Sequence, residues 1–380
     1  MQYRDFKDGL KTSLLGLGCM RFPTVQGEGG ERIDYPKAEE IVDLCYGAGV
    51  NYFDTAYPYH NGESQVVIGR ALRKYPRDSY FLTTKLPPWK IHSEQDIYDI
   101  FQGQLDACGV DRFDFYLFHN LNPEHYKVYE AGYLIPALER LRGEGKIRYL
   151  GFSAHTTPEL VSRFLDAYDR WDFVQIQLNY LDWDYINAKA LYQLLYSRKM
   201  PIVVMEPVRG GRLADLGPEA NALLEAAAPG RSIASWALRW AANLPGIQLV
   251  LSGMSSAEQV RDNVKTMSAP EPLSQREQET LARAVEIFRN QLFVPCTRCN
   301  YCAGCPMGLD IPALLAELNA YRVAKNDFAL ENVLALPKEK WPKNCIACNA
   351  CVGKCPQSID VPAALRELAE HMAAAKPTLI

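Results

Sequence analysis

Eight of the eleven cysteines lie between Cys296 and Cys355, in two runs: Cys296-x2-Cys299-x2-Cys302-x2-Cys305-Pro306 and Cys345-x2-Cys348-x2-Cys351-x3-Cys355-Pro356. Thiolates are soft anionic donors that suit iron and zinc. Two-residue gaps bring three thiolates onto three irons of one cubane, and a fourth cysteine followed by proline reaches the other cluster. On that logic Cys296, Cys299, Cys302 and Cys355 hold one [4Fe–4S] cluster, and Cys345, Cys348, Cys351 and Cys305 hold a second. Zinc is the plainer alternative, but structural zinc takes pairs of C-x2-C, fewer thiols than each run supplies. The other cysteines, Cys19, Cys45 and Cys108, are scattered. A disulfide framework would need an oxidising compartment. The N-terminus mixes charged and apolar residues without an apolar signal core, so the expected location is the cytoplasm.

A second set of residues suits proton transfer. Asp54, Tyr59, Lys85 and His119 close or follow three strand-like apolar runs. Reducing a carbonyl by hydride needs a proton at the developing alkoxide. A tyrosine with a pKa of about 10 is a poor acid at neutral pH, and a neighbouring ammonium is expected to lower it. Lys85 supplies that charge, Asp54 holds Lys85, and His119 donates to the substrate oxygen. Tyr57 is the rival acid.

The elements that must position these groups alternate through the first 290 residues. Strand-like runs are Leu14–Cys19, Val50–Phe53, Tyr80–Thr84, Phe113–Phe118, Ile147–Phe152, Phe173–Leu178, Ile202–Met205 and Gln248–Leu251. Helical patterns between them include Ala38–Tyr46, Ser64–Arg73, Gln95–Ala107, Ile135–Leu141, Glu159–Tyr168, Tyr185–Tyr196, Ser232–Trp240 and Glu258–Thr266. Eight of each predict a (β/α)8 TIM barrel, whose active site lies at the C-terminal ends of the strands. A doubly wound sheet would carry G-x-G-x-x-G, and Gly16-Leu17-Gly18-Cys19-Met20-Arg21 lacks the third glycine. The tail is an internal repeat: Cys305–Ala313 recurs as Cys355–Ala363, each copy running into a helical pattern. Asp310 and Asp360 are the expected N-caps, with proline in the first turn. The expected domains are a barrel over 1–272, a connecting helix over 273–292, and a small, mainly helical cluster domain over 293–380.

The quartet Asp54, Tyr59, Lys85 and His119 resembles the Asp–Tyr–Lys–His tetrad of the aldo/keto reductases over roughly residues 10–265. The tail resembles the helical dicluster ferredoxin-like domains fused to reductases. The first resemblance implies nicotinamide contacts at Ser153 and Gln175. Ala154 stands where the family has asparagine, with His155 or Asn179 to compensate. It further implies a pyrophosphate loop through Glu206, Arg209, Gly210 and Gly211. An adenosine end is implied at Ser252, Gly253, Gln259 and Asn263. The basic residues that often grip a 2′-phosphate are missing, which leaves NADP or NAD open.

The formal net charge is −4, with 48% hydrophobic and 23% charged residues and no basic run, so nucleic acid is not an expected partner. Apolar stretches are too short for a bilayer. Nicotinamide chemistry moves two electrons at once, whereas cubanes pass single electrons. The expected function is therefore a carbonyl reductase with clusters relaying electrons and a redox partner protein such as ferredoxin. The alternatives are a flavin- or ferredoxin-linked reductase on the same barrel, and a non-enzymatic redox sensor or electron-transfer subunit.

Overall fold

The computed structural model describes residues 1–27, 30–185, 188–290, 294–324 and 330–374. Eight strands form a closed parallel barrel: β1 (Leu15–Gly18), β2 (Tyr52–Asp54), β3 (Phe81–Leu86), β4 (Phe113–Leu121), β5 (Ile147–Ala154), β6 (Phe173–Gln177), β7 (Ile202–Met205) and β8 (Ile247–Ser252). Each strand pairs with its neighbours in sequence, and β8 closes on β1 through Val250↔Leu15 and Ser252↔Leu17. The helices between the strands are α1 (Tyr35–Gly47), α2 (Glu63–Leu72), α3 (Glu94–Cys108), α4 (Pro123–Glu130), α5 (Leu134–Gly143), α6 (Pro158–Ala167), α7 (Asp182–Tyr185), α8 (Ala188–Ser197), α9 (Pro218–Ala227) and α10 (Ile233–Ala242). After β8 come α11 (Ala257–Ser268), α12 (Gln275–Asn290), α13 (Ile311–Ala324), α14 (Glu331–Leu334) and α15 (Val361–Ala374).

Local chemistry sets the boundaries. Asp34, Thr157 and Ser256 accept N–H bonds at the starts of α1, α6 and α11, and Ser93 with Asp96 makes a capping box on α3, satisfying donors that the helix leaves unpaired. Alternate strand residues turn inward. Tyr52, Phe115, Tyr149, Phe173, Val203, Leu249 and Leu251 fill the barrel. An N-terminal hairpin, Tyr3–Asp5 with Lys11–Ser13, brings Phe6 onto that filling, its ring centroid 4.9 Å from Tyr149 and 5.3 Å from Phe115. Gly69 lets α2 approach α3: a Cβ there would lie 2.1 Å from the Cys108 carbonyl oxygen.

The chain divides into two compact units, Met1–Val208 with Ser235–Leu273, and Arg209–Ala234 with Ser274–Ile380. The stretch carrying α9 thus groups with the C-terminal unit, where α9 lies against α12. In that unit α13 and α15 pack around Leu314, Leu315, Leu318, Val361, Leu365 and Leu368, with half-buried cysteines against this core. Among the described residues no helix is long and apolar enough to cross a membrane.

Candidate active site and cluster cradle

Asp54 is the last residue of β2, Lys85 lies in β3 and His119 in β4. The strands run further than the apolar runs suggested: Lys85 sits in the ladder opposite Leu117, and His119 falls in the irregularity between Phe118 and Leu121. Tyr59 follows on a short 3-10 turn, Tyr59–Gly62, in which His60 and Asn61 take positive φ. The turn swings the ring back over β3. Lys85 Nζ donates to Asp54 Oδ1 at 2.6 Å, to the Thr55 carbonyl at 2.8 Å and to the Tyr59 hydroxyl at 3.3 Å. The Tyr59 and His119 rings meet edge to face at 6.3 Å. Behind them Gln104 donates to the Lys85 carbonyl at 2.8 Å and accepts from the Tyr116 hydroxyl at 2.7 Å. Tyr57 is exposed and makes no such contact among the described residues.

Burial pushes the Asp54 carboxyl up and the Lys85 ammonium down, and each partner opposes the other's shift. The expectation that Lys85 would lower the Tyr59 pKa is corrected. Burial raises the phenol well above its usual value, and the charges of Asp54 and Glu206 raise it further. Desolvation penalises the phenolate more than the already paired ammonium can repay. Tyr59 is therefore held protonated. Burial first, then Lys85, His155 and His125, keeps His119 neutral. Sequence reasoning missed Trp89 and His125. Trp89 lies 5.3 Å from His119 and 5.5 Å from His125, and walls the same mouth. Only the fold brings these loops together.

The other nominated residues fall into three groups. Ser153, buried on β5, accepts the Asn120 N–H at 2.8 Å. Gln175, buried on β6, gives its amide to Met205 Sδ at 3.5 Å, and its Oε1 has no hydrogen-bond partner among the described residues. A buried amide oxygen without a donor fits the carboxamide of a nicotinamide. Asn179 is taken up internally: it donates to Asp182 Oδ2 and the Glu206 carbonyl, and accepts from the Leu181 and Asp182 amides. Ser252 accepts from Asn263 at 3.0 Å, Gln259 accepts the Ser255 N–H at 2.7 Å, and Gly253 packs against Arg21, where a Cβ would sit 2.6 Å from Arg21 Cγ. Glu206, Arg209, Gly210 and Gly211 all have positive φ. Within the C-terminal unit the buried Arg209 guanidinium donates to Gln357 Oε1 at 3.0 Å.

In that unit one cavity is lined by Cys296, Cys299, Cys302 and Cys355, together with Ile311, Leu315, Ile359 and Val361. Three thiols of the first run share it with the last thiol of the second. Burial and the neighbouring Cys299, Cys296 and Cys355 push the Cys302 thiol up to about 12. Cys351 is raised likewise, by burial and by Cys345, Cys348 and Cys305. The two runs share one backbone form: Arg298 and Ala347 both take positive φ, as do Asn300 and Asn349, and Gly308 and Ser358. Asp310 and Asp360 accept from Ala313 and Ala363, each at 3.1 Å. The Arg298 N–H reaches Cys296 Sγ at 3.4 Å. Four thiols, an apolar wall and an amide aimed at sulfur fit a cubane, whose potential depends on such donors and on dryness.

Comparison with known proteins gives two family matches: the aldo/keto reductase family over residues 14–286 and a 4Fe-4S dicluster domain over residues 295–359. L-galactose dehydrogenase of Arabidopsis thaliana is 28% identical over 309 residues, covering 74% of this chain and 92% of that protein. The NADH-specific methylglyoxal reductase of Escherichia coli is 26% identical over 269 residues, covering 59% and 80%. The solved aldo-keto reductase AKR11C1 of Bacillus halodurans, in its holo form, superposes with a TM-score of 0.61 at 26% identity, covering 75% of this chain and 96% of that one.

Proposed function

The chain belongs to the aldo/keto reductase family, and we propose that it reduces a small carbonyl compound with a nicotinamide cofactor, NAD or NADP, while its [4Fe–4S] clusters relay single electrons. The Lys85–Tyr59 contact carries this reading. A bound nicotinamide supplies the hydride; the chain does the rest. Tyr59, held protonated, gives its proton to the alkoxide oxygen as that oxygen gains charge. The Lys85 ammonium, 3.3 Å away, then donates to the phenolate left behind, and Asp54 keeps Lys85 charged inside the barrel. His119, neutral, donates a ring N–H to the same substrate oxygen and aims it at Tyr59. Ser153 and Gln175 hold the carboxamide. Trp89 and His125 shape the wall that excludes water.

The test is a panel of small aldehydes and ketones assayed anaerobically with NADH and with NADPH, in the parent and in Tyr59→Phe. General acid catalysis contributes roughly 10²–10⁴-fold, so kcat should fall by that order with the substrate KM little changed. Full activity in Tyr59→Phe would overturn the assignment.

A further inference from the structure

The two cysteine sets differ in exposure. Cys348 is the one exposed cysteine of the eight, whereas Cys296, Cys299, Cys302 and Cys355 stand half-buried around an apolar-walled cavity. Around Cys348 the chain lies open: Ala347, Asn349 and Ala350 are exposed, and Ile346 presents 59% of its surface to solvent. Exposed cations flank this stretch in the sequence. Lys338, Lys340, Lys343 and Lys354 are all exposed, with Glu339 the one acid in the stretch 338–354. Local bonds tie them to the cluster loops. Lys340 Nζ donates to the Gly308 carbonyl at 2.9 Å, in the turn after Cys305. Asn344, next to Cys345, donates to the Lys338 carbonyl at 2.7 Å, and the Lys343 ammonium lies 5.1 Å over the Trp341 ring. Lys354 lies between Cys351 and Cys355. Among the described residues none of the four forms an ion pair. The chain as a whole has a formal charge of −4, so four lysines against one acid here stand out.

A cluster ligand at the surface, one bare apolar side chain and unpaired cations around both are what a short-lived electron-transfer encounter needs. Rim charges steer the partner and set the on-rate, and the apolar contact is small enough to release it. The partner must therefore be negatively charged. We propose that the face around Cys348, rimmed by Lys338, Lys340, Lys343 and Lys354, docks an acidic protein that carries single electrons and delivers them to the cluster held by Cys345, Cys348, Cys351 and Cys305. This rests on the reading that the clusters relay electrons. In each encounter the carrier is oxidised by one electron and the cluster reduced by one, with no proton transferred.

The test uses the full chain, purified anaerobically with both clusters. The probe is an acidic plant-type [2Fe–2S] ferredoxin, reduced beforehand, and cluster reduction is followed by stopped-flow absorbance across a salt series. The rate constant should fall at least about tenfold from low to high salt, because exposed charges are screened. In Lys338→Glu/Lys340→Glu/Lys343→Glu/Lys354→Glu it should already be lower by at least about tenfold at low salt, and flat or rising with salt. Lys343→Glu/Lys354→Glu leaves the Lys340–Gly308 bond intact and should show an intermediate loss. Iron content and reduction by dithionite should not change in either. If dithionite reduces the clusters but the parent and both variants share one rate and one salt dependence, or the carrier does not react, the docking face is wrong and the relay stands. If dithionite at physiological potentials reduces neither cluster, the relay reading falls and the docking face with it.

Discussion

Tyr57 and Tyr59 are two positions apart, and the turn between them decides which is the acid. Tyr57 is 36% exposed, whereas the Tyr59 hydroxyl lies 3.3 Å from Lys85 Nζ. Tyr57→Phe should therefore leave kcat within about twofold of the parent while Tyr59→Phe lowers it by roughly 10²–10⁴; the reverse order would move the acid to Tyr57. Histidine gives a second test. His60, His119, His125 and His155 are all shifted down, chiefly by burial, His155 to about 4. An unfolded histidine titrates near 6.5, so below that pH the unfolded chain binds protons that the folded chain refuses. Stability should thus be intact above about pH 6.5 and fall as pH drops towards 4. In thermal melts His155→Asn should flatten that slope relative to the parent. A slope unchanged in the variant would show that His155 is not held neutral in the fold. The direction of the Tyr59 shift was not legible in the sequence, because spacing reveals a neighbouring lysine but not the depth of burial that outweighs it.

Strands and turns carry the next level of the account. The barrel was legible because each strand is a short apolar run and each helix repeats its apolar residues on one face. The apolar runs alone place Asp54, Lys85 and His119 on successive strands. The 3-10 turn that returns Tyr59 to Lys85 was not, since the positive φ of His60 and Asn61 leaves no hydropathic signature. Nor was the capture of Asn179 by Asp182, which depends on a loop closing over β6 and β7. The cysteine repeat was legible down to its caps, and its twin backbone turns follow from twin spacing. The crossed grouping makes a prediction at this level. Cys355→Ala should strip or convert the cluster bound by Cys296, Cys299 and Cys302, and Cys305→Ala the one bound by Cys345, Cys348 and Cys351. Resonance Raman and electron paramagnetic resonance of the two variants, compared with first-run and second-run knockouts, check the pairing. If Cys355→Ala matched a second-run knockout, each run would instead hold its own cluster.

At the scale of the whole molecule, one chain joins an aldo/keto reductase barrel to a 4Fe-4S dicluster domain; under the proposed function the first moves protons and hydride and the second carries single electrons. The two clusters of a 4Fe-4S dicluster domain imply about eight irons and about eight acid-labile sulfides per chain, a demanding assembly for a brace that one zinc could provide with four ligands. Structural bracing and electron relay differ in one respect: a relay cluster must change oxidation state under working conditions. The most direct measurement is an anaerobic titration of the full chain, with iron and labile sulfide assayed first. Dithionite is added, then NADH, NADPH or a reduced acidic ferredoxin, and the cluster signal is followed by electron paramagnetic resonance. The relay account predicts the iron and sulfide content above, and reduction of at least one cluster by a physiological reductant. Zinc without labile sulfide, or clusters that no reductant reduces while a chain ending near Leu292 keeps full activity, would contradict it.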